Sequence, residues 1–183
     1  MVEEGPEERP DEERLRQSAD VHKDAWEQTI ADMHALAEER EENGWKAVTV
    51  IAGDTGTEGP DEGVEGRYGL VFVVPGNKEE PFTEAFEQGT FPKYNVYRNE
   101  LEGRVFLVVE LLDPETETVI LLAGNFLQMD AFGAVRAAKR DEKMYTHVQK
   151  LDATHLGSFE HDGYEKFFPD ADRILQDYDA AVE

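Results

Sequence analysis

The sequence predicts an α+β fold: one mainly antiparallel sheet of about six or seven strands, with a long N-terminal helix and a second helix packed on it. Three observations predict it. Residues 18–42 carry apolar side chains at helical spacing on one face. Two nearly continuous apolar runs, 104–112 and 118–126, flank Asp113-Pro114-Glu115-Thr116-Glu117 and read as a hairpin buried on both faces. Further strands follow one another without an intervening helix, whereas a parallel doubly wound sheet needs a helix after nearly every strand.

The elements follow in order. Residues 1–16 hold seven acids, three bases and almost no apolar residue, and read as a disordered acidic tail before a single domain over 17–183. Ser18 is a helix cap, with Val21, Trp26, Ile30, Met33 and Ala37 forming the buried stripe. Asn43-Gly44 stops that helix. Residues 45–52 read as a strand, and 53–66, with five Gly and five acids, as a long exposed loop. Residues 67–74 are the next strand. Residues 79–88 form a short helix with Phe82 and Phe86 one turn apart. Residues 94–101 read as an edge strand, and the central hairpin follows. Residues 128–140 make a second helix with Leu127, Ala131, Ala134, Val135 and Ala138 buried. Residues 145–151 and 156–160 form a last hairpin, and short helical pieces over 163–168 and 173–178 end the chain.

Composition bounds the function. The chain has 183 residues and 39% hydrophobic residues, enough for a core. It has no Cys, which removes disulfides and thiolate-ligated metals. No apolar run approaches a membrane span, and the acidic N-terminus lacks a signal-peptide core. The net charge of −24 opposes binding to a bare phosphate backbone, so a nucleic-acid partner is not expected. The acids are spread over the whole chain, and Arg outnumbers Lys. That pattern fits a cytoplasmic protein living in molar salt, where screening shortens the reach of surface repulsion to roughly 3 Å.

The combination of Gly44-Trp45, Ala52-Gly53-Asp54-Thr55 and the stretch Leu156-Gly-Ser-Phe-Glu-His-Asp-Gly-Tyr-Glu-Lys-Phe-Phe168 resembles a group of uncharacterised proteins from halophilic archaea. The likeness covers most of the chain beyond residue 17. It implies a cytoplasmic archaeal protein and no particular chemistry.

Few constellations carry chemistry. The Gly-rich loop lacks the Lys of a phosphate cradle, and Asp54, Glu58, Asp61, Glu62 and Glu65 would repel phosphate. Its spacing is not that of a calcium loop either. Three of five His lie in the last hairpin. With Leu151 opposite His155, residue 147 faces 159 and 145 faces 161. His147, His155 and His161 then share one face, with Asp152 nearby, as metal ligands or as an acid–base group for a small metal-dependent hydrolase. A one-residue slip dissolves that face. No cofactor is required by the sequence. Arg136, Lys139, Arg140 and Lys143 lie at i, i+3, i+4, i+7 and form a positive face. That face is expected to meet an acidic surface: the protein's own N-terminal helix, a second subunit of a homodimer, or an acidic protein partner. The reading that leads is a non-enzymatic binding or interaction module.

Overall fold

The computed structural model describes residues 9–182. Helix α1 spans Arg9–Glu42 and so begins well before Ser18. Asp11 suits the helix's first turn, and Glu12-Glu-Arg-Leu-Arg-Gln17 are good helix formers, which extends the helix although these side chains are exposed. Residues 1–8 of the expected tail lie outside the described residues. The stop falls where the sequence predicts it. Gly44 takes φ +86°, Gly44 N–H donates to Glu41 and Trp45 N–H to Arg40, a Schellman closure.

The strands are β1 (Lys46–Ile51), β2 (Asp54–Glu58), β3 (Gly69–Val73), β4 (Lys93–Leu101), β5 (Arg104–Asp113), β6 (Thr118–Leu127), β7 (Lys143–Gln149) and β8 (His155–Asp162). Helices α2 (Glu79–Gln88), α3 (Phe132–Asp141) and α4 (Ala171–Val182) complete the described chain, with a short 3-10 turn over Gln128–Ala131 leading into α3. The α+β class holds, but the single antiparallel sheet does not. There are two four-stranded sheets, in the orders β1-β6-β5-β4 and β2-β3-β7-β8. Each contains one parallel pairing, β1 with β6 and β3 with β7. Both join strands far apart in sequence, so no local pattern announces them. The expected central hairpin is present, with Val108 opposite Ala123 and Leu111 opposite Ile120.

The chain crosses from one sheet to the other at Ala52-Gly53. Ala52 N–H still donates to Ala123 of the first sheet, and Gly53 N–H donates to Val73 of the second. The inner faces then meet. Val50, Leu107, Val109, Ile120 and Leu122 of the first sheet share a core with Leu70, Phe72, Met144, Val148 and Phe159 of the second. The approach is close at Gly124, where a Cβ would stand 2.6 Å from the Phe72 ring. The first sheet's other face is covered by α1, whose Met33 and Ala37 pack on Val108, Val119, Leu121 and Ala123. Beneath that layer, Glu110 has no solvent exposure. It accepts from Arg40 at 3.2 and 3.3 Å and from Asn95 Nδ2 at 2.9 Å.

Helix α2 closes one part of the core through Phe82 and Phe86, which meet Phe159 edge-on. The edges of the two sheets are tied through Tyr94 of β4. Its hydroxyl donates to the Asp162 carbonyl at 3.1 Å, its ring stacks on Phe167, and Lys166 donates to its carbonyl. Phe167 and Phe168 are both buried, which fits a segment that closes the core.

Candidate functional site

The last hairpin brings together two of the three predicted His and separates the third. A β-bulge lies at Val148/Gln149, and Gln149 pairs with His155. His147 therefore faces Ser158, not Phe159, and Met144 faces His161. The pairing is one residue off the expected register, so His147 and His161 point to opposite faces. His161 turns inward onto Tyr94, at 4.3 Å between ring centroids, and onto Phe167, with Nε2 2.9 Å from Thr146 Oγ1. Burial pushes its pKa down to about 3, so it is neutral in the fold. Asp152 holds its own turn by accepting the Thr154 N–H at 3.0 Å. The predicted metal or acid–base group of His147, Asp152, His155 and His161 is thus not assembled. Among the described residues no group of three or more His, Asp or Glu is placed to hold a metal ion.

His147 and His155 do converge, on one hydroxyl. His147 Nδ1 and His155 Nε2 each lie 2.7 Å from Ser158 Oγ. His147 Nε2 lies 2.8 Å from the Tyr68 carbonyl oxygen, which can only accept. His147 therefore carries its proton on Nε2, and Nδ1 is a bare acceptor. The Ser158 hydroxyl donates to it and accepts from His155 Nε2–H. Burial lowers the His147 pKa, only partly offset by the carbonyl contact, which keeps the ring neutral.

The positive cluster is dispersed. Lys139 pairs with Asp172 of α4, Arg140 with neighbouring Asp141 at 2.9 Å, and Lys143 with Glu160 of β8 at 3.2 Å. None of these partners lies on α1, which packs on β1, β5 and β6 while α3 packs on α4 and the second sheet. The expected pairing with the N-terminal helix is thereby corrected. Lys143 is also off the helical face, because α3 ends at Asp141, Glu142 takes a left-handed φ of +55°, and Lys143 opens β7. Arg136 is exposed and makes no ion pair with another described residue.

Arg136 and Arg140 border a cleft that the sequence did not disclose. Three adjoining cavities of about 620, 800 and 500 Å³ all have Phe132 and Tyr178 in their walls. These rings stack at 3.5 Å between centroids and 14° between planes, joining the start of α3 to α4. One side presents Asp54 of β2 and Asp130, with Arg104 held to Asn125 at 2.9 Å. Another presents Arg136 and Arg140 opposite Asp61 and Glu62. A third is more apolar, with Leu127, Met129 and Ile174. Met129 is 78% exposed and Tyr178 41%. The 59–66 loop is seated rather than loose. A Cβ on Gly59 would stand 2.9 Å from Gly133 Cα, and Glu62 accepts the Gly59 N–H at 2.9 Å. Thr57 Oγ1 donates to the Asp130 carbonyl at 2.7 Å. The one sequence signal was the loop's glycines, which permit this close approach. Phe132 and Tyr178 lie in separate helices, and nothing local links them.

The fold and cleft define an α+β protein with a solvent-open pocket beside the Phe132–Tyr178 stack. Residues 12–169 match a family of unknown function, DUF7529, and the chain belongs to that family. The match carries no activity, and neither a curated protein nor a solved structure matches the chain. No described helix is long and apolar enough to cross a membrane.

Proposed function

We propose that this chain is a binding module whose site is the cleft around the Phe132–Tyr178 stack. The observation that carries this reading is the confluence of three cavities on one aromatic pair. Their individual volumes of 500–800 Å³ suit a small organic molecule. Tyr178 offers a partly exposed ring for stacking. Arg136 offers a guanidinium for an anionic group, and Asp54 and Asp130 offer carboxylates for a cationic one; none of the three has an ion-pair partner among the described residues. The ligand is therefore a small molecule with a flat ring and both signs of charge. The charge of −24 supports the further proposal that the protein works in the cytoplasm of a salt-adapted cell. Saturation-transfer NMR in molar KCl against a panel of aromatic zwitterions tests the site. Tyr178→Ala and Arg136→Glu should each weaken any hit at least tenfold. Hits indifferent to both substitutions, or no hit, refute the reading.

A further inference from the structure

The meeting of two imidazoles on Ser158 lies outside that cleft, since none of the three cavities is walled by Ser158, His147 or His155. We propose that His147 Nδ1 and His155 Nε2 form a two-imidazole site for a borderline divalent transition ion, Zn²⁺, Ni²⁺ or Cu²⁺, with Ser158 Oγ beside it.

The orientation of His147 carries the proposal. A metal-binding His typically gives its second N–H to a carboxylate or backbone carbonyl, which fixes the tautomer and aims the free lone pair. His147 does this with the Tyr68 carbonyl at 2.8 Å. Its ring is 4% exposed and lies parallel to Tyr145, at 7° between planes, so it is held before any ion arrives. The lone pair on Nδ1 needs no proton removed. It points at an oxygen that a second imidazole nitrogen also meets at 2.7 Å. His155 is exposed, so it can move. Nitrogens bound to zinc sit at about 2.0–2.1 Å, closer than either stands to the hydroxyl, so His155 swings inward and carries its proton on Nδ1. The Ser158 hydroxyl rotates aside or becomes a weak third donor, and water fills the remaining positions. Imidazole donors select Zn, Ni and Cu over the hard ions, which prefer oxygen. The nearby charges are paired with one another: Lys143 with Glu160 at 3.2 Å and Arg67 with Glu58 at 2.8 Å.

The test uses the tag-free full chain in molar KCl with excess Mg²⁺, which occupies the many surface carboxylates. Cu²⁺ is added to one equivalent and its electron paramagnetic resonance spectrum recorded. Two imidazole nitrogens should couple to the ion. In parallel, Zn²⁺ should shift the ring signals of His147 and His155 in long-range nitrogen–proton spectra and leave His161 unmoved. His155→Ala, an exposed change that leaves the core intact, should abolish the two-nitrogen spectrum; Ser158→Ala should preserve it. Oxygen-only coupling, a spectrum unchanged by His155→Ala, or one lost with Ser158→Ala while His155→Ala retains it, overturns the proposal.

Discussion

Replacing Arg40 by Met should cost the fold about 3 kcal/mol. Glu110 is fully buried between α1 and the first sheet, and its carboxylate is held by Arg40 and Asn95. Without Arg40, one amide remains to stabilise that charge. Losing one partner of a buried pair costs about 3–5 kcal/mol. The lower end applies because the Arg40 side chain is 33% exposed, so water can reach the vacated space. The guanidinium also lies 5.5 Å over the Trp45 ring, a contact that Met retains only in part. The discriminating variant is the double replacement Arg40→Met with Glu110→Leu. It removes both charges and should recover most of the loss, since apolar replacement of a buried pair is often neutral or better. Urea melts at fixed molar salt give both numbers, and the Trp26 and Trp45 fluorescence reports directly on α1. If Arg40→Met costs less than about 1 kcal/mol, or if the double variant is no more stable than the single, the ion pair does not anchor this helix.

Other outcomes can be checked separately. Leu121→Ala, at a fully buried position under Met33 and Ala37, should cost about 2–5 kcal/mol in the same melts; a cost below about 1 kcal/mol contradicts the packing. His161 titrates near pH 3 when folded and near 6.5 when unfolded. The unfolded chain therefore binds the extra proton between those values. The contribution is complete above about pH 6.5 and falls by at most about 1.4 kcal/mol per unit as the pH drops towards 3. His161→Gln should flatten that part of the pH dependence of the melting temperature, and an unchanged slope would refute it. Raising KCl from 0.1 M to 3 M should raise the melting temperature, because the −24 charge is then screened; a flat or falling trend would remove the case for salt adaptation. Gly157→Ala should destabilise, because its Cβ would stand 2.9 Å from the Phe86 ring; circular-dichroism melts matching the parent would show that Phe86 moves freely.

Much of the fold was legible, and the failures share a cause. The α1 stripe, the α2 aromatics and the β5–β6 hairpin are patterns within a few turns or one loop; the last two appear as read, and the stripe is buried at Met33 and Ala37, while Val21, a turn or more before the sheet, is exposed. Strand β2 was missed because Asp54-Thr-Gly-Thr-Glu58 has no apolar residue, and its pairing with β3 is made by backbone alone in a segment that reads as loop. The division into two sheets was invisible because it rests on the parallel pairings β1–β6 and β3–β7 and on a switch at Gly53. The hairpin of His147 was found, but its bulge at Val148/Gln149 shifts the register by one, which sends His161 into the core and gives His147 to Ser158. The cleft needed Phe132 and Tyr178, which meet only through the packing of α3 on α4.

The parallel pairing of β1 with β6 also sets the order in which this chain can fold. Lys46 finds its partner only at Thr118, and Ile51 only at Ala123. Closing so long an intervening stretch is costly in entropy, whereas β5 and β6 meet across one short turn. Loop-closure entropy therefore favours forming the β5–β6 hairpin before β1 and then α1 dock on it. On a ribosome, Trp26, Met33 and Leu36 emerge early and have no sheet to cover until residues 118–127 have been made. Through that interval the opposite side of α1, with Asp24, Glu27, Asp32, Glu38 and Glu39 among its exposed residues, keeps the uncovered helix hydrated.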